Sequence, residues 1–70
     1  MSGAPVLVDA RGLSCPWPVL RLARAMREAS RVTILTDDRQ APAEIAALAA
    51  AHGWTMSQQD QAISVARTGG

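Results

Sequence analysis

The chain's one cysteine, Cys15, stands in the run Ser14-Cys15-Pro16-Trp17-Pro18. Sulfur chemistry there depends on acidity, because the thiolate rather than the thiol is the nucleophile. A strand-like segment precedes the run and a helix-like segment follows it, which places Cys15 at or beside a helix N-cap. The peptide N–H groups of a first helical turn lack internal partners and carry the positive end of the helix dipole, so an anion there gains about 0.3–1 kcal/mol. A low-pKa, solvent-reachable thiol is therefore expected. Pro16 suits the first helical position and Pro18 still lies within the first turn, where their fixed φ values hold the helix start rigid. The competing account is that a free cysteine is a small buried hydrophobe with no reactivity.

Other residues flank this sulfur. Asp9 and Arg11 bracket the loop before it, either paired to hold the loop or with Arg11 facing the thiolate directly. Arg21, Arg24 and Arg27 recur every three residues along the following helix, a basic stripe for docking an acidic partner or simply a solvated helix face. Trp17, inside the first turn of a helix whose inner face starts at Val19, is expected to be exposed and to touch a partner, whereas Trp54 is expected in the core. His52 falls at a helix C-terminus, where its role is structural.

These residues must be positioned by short elements. Val6-Leu7-Val8-Asp9 is a β-branched run ended by Arg11-Gly12 and predicts a first strand. Val19, Leu22, Ala23 and Met26 form the i, i+3, i+4, i+7 stripe of a helix ending near Ala29. Val32 to Thr36 predicts a buried strand, and strand, helix and strand in series make a right-handed βαβ unit. Pro42 opens a second helix with an aspartate as its cap, Ile45, Leu48, Ala49 and His52 give its inner stripe, and Gly53 ends it in the left-handed conformation. Residues 54–57 and 62–65 alternate in the strand period about a turn at 58–61. The expected architecture is an α/β (α+β) two-layer sandwich, β-α-β-α-β-β, with a mixed four-stranded sheet and two helices on one face.

Seventy residues make one small domain, here with residues 1–5 and 67–70 as loose ends. A hydrophobic fraction of 49% against 19% charged is globular composition. The net charge of +1 and the absence of Tyr and Phe argue against a nucleic-acid binder, although the arginine stripe keeps direct nucleic-acid contact as a minor reading. No apolar run is long enough for membrane insertion and no export signal opens the chain, so a cytoplasmic protein is expected. One cysteine makes no internal disulfide, and with one histidine it cannot complete a zinc site, so neither metal nor cofactor is expected.

The run Leu7 to Pro18, then Thr36-Asp37-Asp38, and Gly53-Trp54 after an alanine-rich helix, together resemble the TusA/SirA family of small sulfur carriers, in order over about residues 6–66. The resemblance implies that Cys15 accepts sulfane sulfur as a persulfide, with Pro16 and Pro18 as the motif prolines. It further implies a sulfur donor (a cysteine desulfurase or a rhodanese), a downstream acceptor protein, and in some members a membrane thiosulfate transporter; a monomer is the default for such a relay. Arg39-Gln40-Ala41-Pro42 departs from the family's commoner Asp-Asp-Pro helix start, and the tail lacks its basic ending, which puts the partner in doubt. Two rivals stand beside this reading. One is an interaction or regulatory module with an inert cysteine; the other is a carrier that bears sulfur as a thiocarboxylate on Gly69-Gly70, which the element order opposes.

Overall fold

The computed structural model describes residues 5–67. The elements run β1 (Val6–Asp9), α1 (Trp17–Glu28), β2 (Arg31–Leu35), α2 (Ala41–His52), β3 (Thr55–Gln59) and β4 (Ala62–Ala66). The sheet has the order β1-β2-β4-β3, with β1 parallel to β2 and the other pairs antiparallel, so the expected mixed four-stranded sheet forms. Parallel pairing of β1 and β2 requires the α1 crossover, and it brings the loops that follow both strands to one end of the sheet.

Alternation decides which side of the sheet is covered. Val32 and Ile34 on β2 and Ile63 and Val65 on β4 pack with Leu22 and Met26 of α1 and Ile45 of α2 in one buried cluster, which puts both helices on the same face. The opposite face carries short polar side chains, among them the Thr33 and Ser64 hydroxyls, 3.2 Å apart across the ladder. On α1 the buried stripe is Pro18, Leu22 and Met26, with Val19 and Ala23 only half-buried, a rotation of the stripe toward the proline.

Several boundaries move for identifiable reasons. The second helix is capped by Gln40 with no side-chain cap bond, not by an aspartate, because Asp38 is held by its own backbone turn. Gly53 does end the helix at φ 72, a conformation that favours glycine, and its N–H reaches the carbonyls of Ala49 and Ala50. The C-terminal hairpin is tighter than its sequence suggests: strand pairing continues to Gln59 opposite Ala62, leaving Asp60-Gln61 as a two-residue turn. Asp60 takes the positive φ of 57 that such a turn needs, which aspartate tolerates better than most residues. His52 does not join the inner stripe. It is exposed and stacks on the half-buried Trp54, ring centroids 4.4 Å apart, and the Arg67 guanidinium carbon lies 5.6 Å from the Trp54 ring centroid.

Arg67 is likewise no loose end, since its N–H donates to Ser30 O at 2.9 Å and its guanidinium donates to Met26 O. Residues 1–4 and the Gly69-Gly70 pair lie outside the described residues.

Candidate functional site

Cys15 sits at the end of the sheet where the carboxyl termini of β1 and β2 emerge, between the first turns of α1 and α2. The chain reaches it through a short, tied loop. Ala10, fully buried, extends the β1 ladder by donating to Leu35 O at 2.7 Å, and Leu13 N–H closes a turn onto Ala10 O at 3.2 Å. Gly12 adopts φ 84, and its N–H points at the Asp37 carboxylate, 3.0 and 3.2 Å from the two oxygens. A side chain at Gly12 would be strained by that φ, so glycine is what lets the β1 and β2 loops be stitched together.

Asp9 and Arg11 resolve to one of their two expected roles. The Arg11 guanidinium donates to both Asp9 oxygens at 2.9 and 2.8 Å, and the Arg11 backbone N–H adds a third bond at 3.1 Å. That clamp holds the Asp9 carboxyl down to about 2, the guanidinium bond being the largest cause and the backbone bond the next. Both side chains are about half exposed, so the pair orients the loop more than it stabilises the fold. Arg11 is thereby committed to Asp9 rather than to the sulfur.

The expected acidic thiol is not what the structure holds. Cys15 is free and half-buried, and its pKa is pushed up to about 11, first by a hydrogen bond to the Glu44 side chain, then by desolvation and by the charges of Glu44 and Asp38. The helix start offers little against this. Pro16 is the N-cap and Trp17 and Pro18 are the first two helical residues, one position later than the sequence reading placed them. Two of the four leading amides are therefore proline nitrogens without hydrogen, and the Trp17 N–H is spent on Ser14 O at 2.9 Å. The prolines that make the turn rigid also strip it of the donors that would hold a thiolate. The Cys15–Pro16 peptide bond within this turn is cis.

Glu44 and Asp38 are the residues that sequence reasoning missed. Glu44 occupies the first turn of α2, and Asp38 lies in the turn leading to it, its N–H bonded to the Thr36 hydroxyl at 3.2 Å. The Asp38 Oδ2 atom is buried without a hydrogen-bond partner. The Thr36-Asp37-Asp38 run and an acid at the start of the second helix were visible signals, but only the packing of α2 against α1 brings them to Cys15.

Away from the sulfur, Trp17 and Leu20 are exposed at 57% and 49%. With Val8, Arg21, Arg24, Ala25 and Glu28 they line an open groove of about 530 Å³ between α1 and the edge strand β1. Arg27 is exposed but lies off this groove, so the expected stripe of three arginines contributes two to it. Among the described residues no cluster of His, Cys, Asp and Glu could hold a metal ion, and no helix is long and apolar enough to cross a membrane.

The family model for sulfurtransferase TusA matches residues 6–66 of the chain. A solved structure of a SirA-like protein from Desulfitobacterium hafniense superposes with a TM-score of 0.71 at 27% identity, covering 86% of this chain and 90% of that one. Among curated protein sequences none matches.

Proposed function

From the premise that the chain belongs to the TusA sulfurtransferase family, a family of sulfur carriers, we propose that Cys15 accepts sulfane sulfur as a persulfide from a donor protein and passes it to an acceptor protein. The observation that carries this reading is the position of the lone free sulfur: half-buried, at the sheet end where two parallel strands finish, on a loop tied by the Asp9–Arg11 clamp and the Gly12–Asp37 bonds. Exchange by thiol attack on a persulfide needs one reachable sulfur and no resolving cysteine, which matches the cysteine count. A cysteine desulfurase or a rhodanese is the donor class this chemistry implies, in the cytoplasm, where thiols stay reduced.

The test is intact mass. Incubation with a rhodanese and thiosulfate, or with a desulfurase and cysteine, adds about 32 Da, one sulfur atom, to the native protein; an unchanged mass after both donors have turned over sinks the carrier reading. One observation favours a second reading, an interaction module with an inert cysteine: the elevated thiol pKa. The same experiment separates the two.

The groove beside α1 is the docking surface we assign to the donor. Its apolar floor at Trp17 and Leu20, flanked by Arg21 and Arg24, suits a partner that presents an apolar anchor with acidic neighbours. Arg21→Glu with Arg24→Glu is expected to slow loading from a donor protein by about tenfold at low salt, while loading from a small-molecule persulfide stays at the native rate. Equal rates with the protein donor would remove the groove from the docking assignment.

A further inference from the structure

The two edges of the sheet are not alike. Charge surrounds β1: Asp9 lies on the strand, and Arg21, Arg24 and Glu28 stand beside it along the groove. The opposite edge, β3, has none of the devices that keep edge strands apart, since Thr55-Met56-Ser57-Gln58-Gln59 carries no charge and no proline and pairs with β4 without a bulge. The neighbouring α2 continues this neutral side. Between Ala41 and Gln59 there is no lysine or arginine and a single carboxylate, Glu44, and the exposed positions that follow it on α2 are Ala46, Ala47, Ala50, Ala51 and His52. Apolar side chains thus surround most of α2, a pattern found in helices covered on more than one side.

In an antiparallel ladder, successive residues turn their backbone groups alternately toward one neighbour and toward the other. The bonds from Arg67 N–H to Ser30 O at 2.9 Å and from Thr36 N–H to Gln61 O at 3.0 Å commit residues 61 and 67 to the β2 side, so Ala62, Ser64 and Ala66 engage Gln59, Ser57 and Thr55. Met56 and Gln58 therefore direct their N–H and C=O groups away from the sheet. The Trp54 N–H, earlier in the same row, is spent on Ala49 O at 2.8 Å. We infer that β3 pairs antiparallel with β3 of a second copy of this chain, the two-fold axis passing at Ser57, so that Met56 of each copy exchanges both backbone bonds with Gln58 of the other. This register satisfies every outward N–H and C=O of those two residues on both strands. Charge favours it as well. It sets Asp60, just beyond the end of β3 in one copy, opposite Trp54 in the other, beside which stand His52 and the Arg67 guanidinium, 5.6 Å from the Trp54 ring centroid. Antiparallel pairing thus joins the acidic end of each strand to the basic end of its mate, whereas parallel pairing would join like ends. On the helix-covered face the two α2 helices flank the same axis, and alanine allows a close approach. The assembly departs from the monomer expected of a relay carrier, yet it leaves the Cys15 loop and the groove along β1 open in both copies.

Sedimentation equilibrium from about 10 µM to about 1 mM, the range expected for so small a contact, reads the state directly. The average mass is expected to rise from 7.4 kDa toward twice that value, and amide exchange at Met56 and Gln58 to slow with concentration while the amides of β1 keep their rates. Gln58→Pro removes one outward N–H from an edge strand, a position that proline tolerates, and is expected to stay at 7.4 kDa at the highest concentration with an unchanged far-UV spectrum. Asp60→Asn retains a side chain that tolerates positive φ and loses the charge, which is expected to weaken the dimer about fivefold at low salt. A wild type that remains at 7.4 kDa throughout overturns the inference. So does a dimer that persists in folded Gln58→Pro, or one whose slowed amides lie elsewhere than Met56 and Gln58. If Gln58→Pro loses its fold, the wild-type exchange pattern and the Asp60→Asn affinity decide: slowing confined to Met56 and Gln58 with weaker Asp60→Asn association supports the pairing, and any other result overturns it.

Discussion

Cys15→Ser loses all sulfur loading while keeping the fold. The serine hydroxyl has nearly the size of the thiol but is far too weak an acid to attack a persulfide sulfur, and an oxygen at this position gives no S–S bond to store the cargo. Because Cys15 is half-buried on a loop and contributes to no core cluster, its replacement leaves packing almost intact. Intact mass after incubation with donor and thiosulfate is expected to show the unmodified mass alone, with far-UV circular dichroism and the unfolding midpoint close to those of wild type. A 32 Da gain that persists in the serine variant, about one sulfur, would place the cargo elsewhere and remove the basis for assigning Cys15 as the carrier.

Ile34→Ala has the largest expected effect on stability. Ile34 is fully buried on β2, the strand that pairs with both β1 and β4, opposite Val8 and Ile63. Truncating a buried isoleucine to alanine costs about 2–5 kcal/mol, the lost transfer free energy plus the cavity left behind. A domain this small holds only about 3–5 kcal/mol in all, so the variant is expected to be largely unfolded at 37 °C in a chemical or thermal melt. Leu7→Ala, on the neighbouring edge strand, is the control: Leu7 is 65% exposed, and its loss is expected to move stability by about 0.5 kcal/mol or less. Comparable effects at the two positions would contradict the placement of the core on the helix-covered face.

The two variants divide the molecule sensibly. Cys15 is proposed to matter for its sulfur and supports little of the packing, whereas Ile34 lies in the core and holds the strand from which the Asp37–Asp38 loop departs. Small domains have little stability to spare, so the tied loops around the sulfur depend on the sheet staying closed. The Gly12–Asp37 bonds link the two loops directly, which is why a disturbance of β2 is expected to loosen the Cys15 loop as well.

Element type and order were legible from periodicity. The stripe through Leu22 and Met26 marked α1, the run Val32 to Thr36 marked β2, which the structure places at Arg31–Leu35, and Gly53 marked the end of α2, because each of these signals is local to one element. The Cys-Pro-x-Pro run and the lone cysteine likewise singled out Cys15, and the exposure of Trp17 followed from its place ahead of the inner stripe. Details set by pairing across the sheet were less legible: the tight Asp60-Gln61 turn and the tether of Arg67 depend on register between β3, β4 and the end of α1.

The acidity of the sulfur was decided by tertiary structure alone, and against the local argument. Within the sequence neighbourhood a helix start favours an anion, but that expectation counts amide donors that Pro16 and Pro18 do not possess and that Trp17 has already used. What then sets the thiol's proton affinity is a carboxylate delivered from the second helix, separated from Cys15 by a helix and a strand. Linear order therefore singled out the atom proposed to carry the chemistry, through periodicity and a short motif. The fold determined how readily that atom gives up its proton, because Coulomb and hydrogen-bond energies act through space and depend on which charged side chains packing brings within reach.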